Sequence, residues 1–142
     1  MRVTVRNLQK KVPINQKRIR KTVLDILSCE GVKKSGEVIV SFVSDKEIRE
    51  LNLLYLGLHE PTDVLAFDIS GPTGGLLADI VISTDAALRN SKAYATTALH
   101  ETHLYVIHGI LHLLGYRDNN AANRRLMRRR ESFYTERSHV NT

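Results

Sequence analysis

A chain of 142 residues with 42% hydrophobic and 25% charged residues is ordinary globular material, long enough for one domain with a real core. Its single cysteine, Cys29, excludes an intrachain disulfide and a thiolate zinc cluster and fits a reducing cytoplasm; it is expected as a small buried residue. The net charge of +6 favours polyanionic partners such as RNA, and no stretch has the apolar length of a signal core or a membrane span, so no membrane role is expected.

In chain order, Arg2-Val3-Thr4-Val5-Arg6 alternates and predicts a first strand. Asn15 can cap a helix to about Ser28, with Ile19, Val23, Ile26 and Leu27 as its apolar stripe. Lys10, Lys11, Lys17, Arg18, Arg20 and Lys21 crowd this region as a solvated face, with a secondary RNA contact as the alternative. Glu37 to Val43 is β-branched and predicts a second strand. Ser44 to Glu47 is a capping box opening a helix to about Leu56, with Ile48, Leu51, Leu54 and Tyr55 expected to face inward. Gly57 ends it.

Pro61 begins a turn feeding a third strand that ends at Asp68. Ser70 to Gly75 is a turn cluster, and Leu76 to Ser83 a fourth strand. Thr84 or Asp85 can cap a helix to about Tyr94. A helix from near Thr97 to Leu114 follows, and a last one starts at Asn119 or Asn120 and runs to about Arg137. On the last helix Leu126, Met127, Phe133 and Tyr134 are expected as core. Arg124, Arg125 and Arg128 are the RNA-binding candidates, because the planar guanidinium fork suits phosphate. Ser138 to Thr142 are expected to fray. This order of elements predicts an α+β single domain over residues 1–142, with one mixed sheet of about four strands packed against helices.

The chemistry concentrates in Val106 to Asn119, VIHGILHLLGYRDN. His108 and His112 stand one helical turn apart on one face. Gly115 can adopt the left-handed conformation of a helix end and return Asp118 towards them. Two nitrogens and a carboxylate oxygen with an open position describe a catalytic zinc site, one ion per chain, whose metal-bound water would do the chemistry. His100 and His103 lie out of step with this pair and are expected at the surface or facing a partner. Asp63 and Asp79, at strand ends, read equally as structural hydrogen bonders and as carboxylates that hold a ligating imidazole from behind.

HGILHLLGYRD resembles the signature H-G-x-L-H-L-x-G-Y-D-H of the YbeY family of rRNA-maturation endoribonucleases. Residues 61–67, PTDVLAF, and 76–83, LLADIVIS, follow its P-T-[ND]-V-L-S-F and L-G-D-I-x-I in order, with Ala66 for Ser and Ala78 for Gly. The resemblance implies a zincin-like metal helix and a zinc-dependent, single-strand-specific endoribonuclease. It would act on the 3′ end of small-subunit (16S) rRNA, with the ribosomal small subunit and its proteins as partners, and in ribosome quality control. Within the pattern Asp118 stands for the usual third His and Arg117 for the Asp before it. Leu56 stands for an Arg held to act in catalysis, whose charge Arg117 is the candidate to replace. Three other classes remain. A zinc peptidase needs Glu where Gly109 stands, a two-His-one-carboxylate iron oxygenase shares the ligand types, and an assembly factor would bind RNA without cutting it.

Overall fold

The computed structural model describes residues 1–58, 62–72 and 74–138. The elements are β1 (Arg2–Asn7), α1 (Gln16–Cys29), β2 (Gly36–Val43), α2 (Asp45–Leu56), β3 (Val64–Asp68), β4 (Leu76–Ser83), α3 (Thr84–Ala93), α4 (Ala98–Leu113) and α5 (Ala121–Ser138). They form a single α+β domain, in the order the sequence predicts. The sheet order is β1-β2-β4-β3, with β1, β2 and β4 parallel and β3 antiparallel to β4. Strands β2 and β4 are central and nearly continuous in apolar residues, as strands covered on both faces must be.

The caps explain where helices begin. Asn15 accepts from the Arg18 amide and Ser44 from the Glu47 amide. At α3 the cap is Ser83, one residue before the expected Thr84, because β4 runs into the helix without a loop. At α5 the Asn120 side chain takes the Asn123 amide at 2.8 Å. The turn expected at Pro61, Thr73 of the turn cluster and the end of the tail lie outside the described residues.

One face of the sheet carries the main core. There Val38, Val40, Phe42, Ala78, Ile80 and Ile82 meet α1 and α4, while Met127 and Tyr134 bring α5 onto the same cluster. Gly109 is what lets α4 lie so close. A Cβ built there would stand 2.9 Å from Ile80 Cγ2 and 3.2 Å from Val64 Cγ2.

Several expectations about burial fail. Leu54 and Tyr55 are exposed, because α2 turns Ile48, Leu51 and Asn52 inward; Tyr55 still touches the Phe67 ring of β3, with centroids 5.2 Å apart. Leu126 and Phe133 are also exposed; Phe133 instead stacks edge-on to Tyr134 and lies under the Arg130 and Arg137 guanidinium groups. Cys29 is exposed at the end of α1. His103 is fully buried, not at the surface, because α1 packs over it and Thr22 Oγ1 meets its Nε2 at 2.9 Å.

Candidate metal centre

Helix α4 is uninterrupted through both histidines, so His108 and His112 share a face, with ring centroids 4.5 Å apart and edge-on to each other. The helix stops as the sequence predicts. Gly115 takes φ +101°, its amide bonds to the His112 carbonyl, and the Tyr116 amide reaches back to the Leu111 carbonyl. That reversal delivers Asp118. Its Oδ2 lies 3.4 Å from His112 Nε2 and 3.7 Å from His108 Nε2, and one donor atom from each of the three residues falls within 4.8 Å of the others. Ligands at zinc bond lengths and tetrahedral angles stand about 3.3 Å apart, so the three residues fit one ion with little rearrangement. Asn120, rather than Asp118, caps the next helix, which leaves the Asp118 carboxylate for the site.

The imidazole of His108 is held from behind. Its Nδ1 lies 3.0 Å from Glu131 Oε1 on α5, so Nδ1–H donates to the carboxylate and the Nε2 lone pair faces the centre. Burial pulls the His108 pKa down, but the Glu131 hydrogen bond and charge outweigh it and the net shift is upward. Sequence reasoning misses Glu131, because it lies 23 residues beyond His108 and meets it only through packing of α5 on α4. Its one local signal is an isolated acid in an arginine-rich helix.

The returning loop has its own brace. Tyr116 donates to Glu30 Oε1 at 2.6 Å, and Glu30 also receives Tyr134 Oη–H and the Arg130 guanidinium. Burial raises the Glu30 pKa, but these donors dominate and hold the carboxyl below its usual range. Arg124 adds a bond from Nη1 to the Asp118 carbonyl at 3.3 Å.

Two cavities flank the three residues. One, of 330 Å³, is lined by Asp63, His108, Asp118, Arg124 and Arg128 among others; the second, of 430 Å³, by Leu56, Asp63, His108, His112, Arg117 and Asp118. Asp63 is thus brought to the site, between β3 and α4. Asp79 is not. It shares the strand face of Val81, away from α4, where burial raises its pKa against the opposing charge of Arg6. Arg125 is exposed on α5 and lines neither cavity. Gly109, buried against the sheet, has no room for the glutamate of a zinc peptidase.

A family model described as "Endoribonuclease YbeY" matches residues 4–139. The chain is 38% identical over 125 residues to Endoribonuclease YbeY of Syntrophus aciditrophicus, covering 84% of this chain and 78% of that one. It is 37% identical over 141 residues to the enzyme of the same name from Pelotomaculum thermopropionicum, covering 92% and 93%. The solution structure of TM1509 from Thermotoga maritima superimposes with a TM-score of 0.63 at 27% identity, over 96% of this chain and 88% of that one. With its motifs in family order and the match spanning nearly its whole length, this chain belongs to the YbeY family of endoribonucleases.

Proposed function

We propose that this protein is a zinc-dependent endoribonuclease for single-stranded RNA that matures the 3′ end of 16S rRNA. In this reading it works in the cytoplasm on the small subunit and its proteins, and takes part in ribosome quality control. The observation that carries the proposal is the meeting of the two cavities at His108, Asp118 and Asp63. A strand crossing there lays one phosphodiester against the three ligands and a nucleotide in each cavity. Both volumes fall at the lower end of the ~300–1,000 Å³ of small-molecule sites, room for single nucleotides and not for a duplex.

Two imidazoles and one carboxylate suit zinc, and a bound zinc supplies Lewis acidity at a phosphoryl oxygen and lowers the pKa of water. The chain does the rest. Asp118 cancels one unit of the ion's charge, which two neutral imidazoles do not. Glu131 fixes the tautomer and orientation of His108. Arg124 and Arg128 take phosphates along the first cavity. In the second, Leu56 offers no charge, and Arg117 is the cation available to the developing negative charge of the phosphoryl group.

The test is metal analysis of protein prepared with zinc, together with cleavage of matched single-stranded and duplex RNA. About one zinc per chain and cutting of single strands only are expected. Protein without metal, or RNA bound and left intact, would sink the reading; the second result would leave a non-catalytic assembly factor. Replacing Arg124, Arg125 and Arg128 together by Ala should flatten the dependence of log affinity on log salt by about 0.7 for each phosphate no longer neutralised. Arg125 should contribute least, since it lies off the cavities.

A further inference from the structure

The first cavity extends past the metal ligands to the corner between α3 and α4, a stretch with no part in the chemistry at the ion. Tyr94 stands at that corner, 70% exposed, and lines the cavity. Its backbone is fixed. The Tyr94 amide bonds to the Asn90 carbonyl, and Ala95 takes the left-handed φ of 55° so that the Thr96 amide can close on the Ser91 carbonyl. An exposed aromatic ring on a rigid corner loses little entropy when another ring stacks on it. The cavity wall beside it is rich in acceptors. Asp63 contributes a carboxylate and Glu101 a second, buried one whose Oε2 already takes the Thr96 hydroxyl, while Asn90 donates an amide proton to the Tyr105 hydroxyl, itself part of the wall. Arg124, bonded to the Asp118 carbonyl, and Arg128 on the same helix supply cations to the lining.

We infer that this end of the cavity is a nucleobase subsite. One unpaired base of the RNA, next to the phosphodiester held at His108, His112 and Asp118, stacks on Tyr94 while Arg128 holds its phosphate. The inference rests on the endoribonuclease reading and deepens it. Stacking on an aromatic side chain with hydrogen bonds to the base edge is the general way in which single-stranded RNA is held. The wall selects among bases. Carboxylates only accept, so they suit the exocyclic amino groups of guanine, adenine and cytosine. Guanine, with adjacent N1–H and N2–H donors, suits a carboxylate best. Uracil has one N–H between two carbonyl oxygens, which the carboxylates repel. A site built for donor edges discriminates strongly against a base that lacks them.

The test uses zinc-loaded protein and four single-stranded octaribonucleotides of uridine, in which one central position is G, A, C or U. Binding is read by fluorescence anisotropy at low temperature, and cleavage by initial rates. The G oligomer should bind tightest and the all-U oligomer weakest. Tyr94→Ala should raise KM for the G oligomer by about tenfold with kcat nearly unchanged, the range expected for one stacked base. Tyr94→Phe should behave as wild type, since the ring is retained. Zinc content and thermal unfolding should match wild type in both variants, because the side chain is exposed. Equal binding of all four oligomers, or a Tyr94→Ala variant as active as wild type while wild-type protein cuts RNA, would overturn the subsite and leave the endoribonuclease reading standing. Wild-type protein that neither binds nor cuts any of the four would overturn both.

Discussion

The two faces of the sheet are built differently. On one, α1 and α4 pack directly on the strands and α5 closes over α4, so the cluster is continuous from Val3 and Ile19 to Met127 and Tyr134. On the other, α2 covers only a small group, Val43, Ile48, Leu65 and Val81, and leaves Leu53, Leu54, Tyr55, Leu56 and Leu58 exposed around its end. The metal ligands rise from the first face. Two of the three ligands sit on α4, which packs against the sheet and against α1, α3 and α5, and the third on the loop that leaves it. The second face contributes lining to the second cavity, Leu65 and Phe67 from β3 and Leu56 from the end of α2, where an exposed side chain can change with little effect on the core.

The largest expected effect tests whether the site depends on all three residues. His112→Ala should abolish zinc binding at stoichiometric concentrations, because the remaining imidazole and carboxylate make a weak chelate. Asp118→Asn should also weaken binding strongly, since a neutral amide is a poor zinc ligand, whereas Asp118→His should retain it. Calorimetric titration of zinc into the three proteins settles the order. Full affinity in Asp118→Asn with loss in Asp118→His would remove Asp118 from the ligands.

How much of this centre is legible in the sequence follows from distance along the chain. The histidine pair, the Gly115 stop and Asp118 lie within one helix and its exit, where spacing alone determines proximity. Glu131 and Glu30 reach the centre only after α5 and α1 pack against α4, and no local pattern reports that. His103 is misplaced by spacing for the same reason, since its partner Thr22 is 81 residues away. The central strands are clear because β2 and β4 are nearly continuous apolar runs. The exposed apolar residues of α2 and α5 are not, because hydrophobicity along a helix does not say whether another element covers that arc.

A second prediction compares the cores. Ile110, on α4, is fully buried in the main core. Ile110→Ala should cost about 3–4 kcal/mol in urea unfolding, and should weaken zinc affinity too, because the cavity it leaves lets α4 shift within the core. A loss of stability with zinc affinity unchanged would show that the site tolerates movement of its helix, and that rigid packing is not what distinguishes the first face.

A third uses the buried His103. Burial, with the positive Arg18 and His100 adding to it, lowers its pKa to about 4. The unfolded chain binds this proton near pH 6.5, so the neutral imidazole contributes stability above that pH, and the contribution is lost as pH falls from 6.5 to about 4. At roughly 1.4 kcal/mol per unit, the full swing is on the order of 3 kcal/mol. His108, whose pKa is raised, changes its contribution above about pH 6.5 and in the opposite sense, so the measurement is the difference between wild type and His103→Gln, in which His108 cancels. Gln can keep a polar atom near Thr22 but does not titrate. The difference should shrink as pH falls through the window; a difference that stays constant from pH 7 to pH 4 would show that His103 is not the group responsible.

The smallest expected effect tests the thin face. Leu54 lies on α2 with 73% of its surface exposed. By apolar spacing alone it belongs with Ile48 and Leu51 on an inward stripe, and truncating a buried leucine costs about 2–5 kcal/mol. Leu and Gln have nearly equal helix propensity, so Leu54→Gln changes burial and little else. If the residue is as open to water as the structure shows, the substitution should change unfolding free energy by less than about 0.5 kcal/mol and leave zinc affinity as it was. Ile48→Ala on the same helix is the control. Ile48 is fully buried against Val43 and Val81 and should cost several times more. Equal costs for the two would mean that α2 buries Leu54 in solution, and that the second face is packed as thoroughly as the first. A cost confined to Ile48 would show that the early turns of α2 carry buried contacts and that Leu54, near its end, is free to vary.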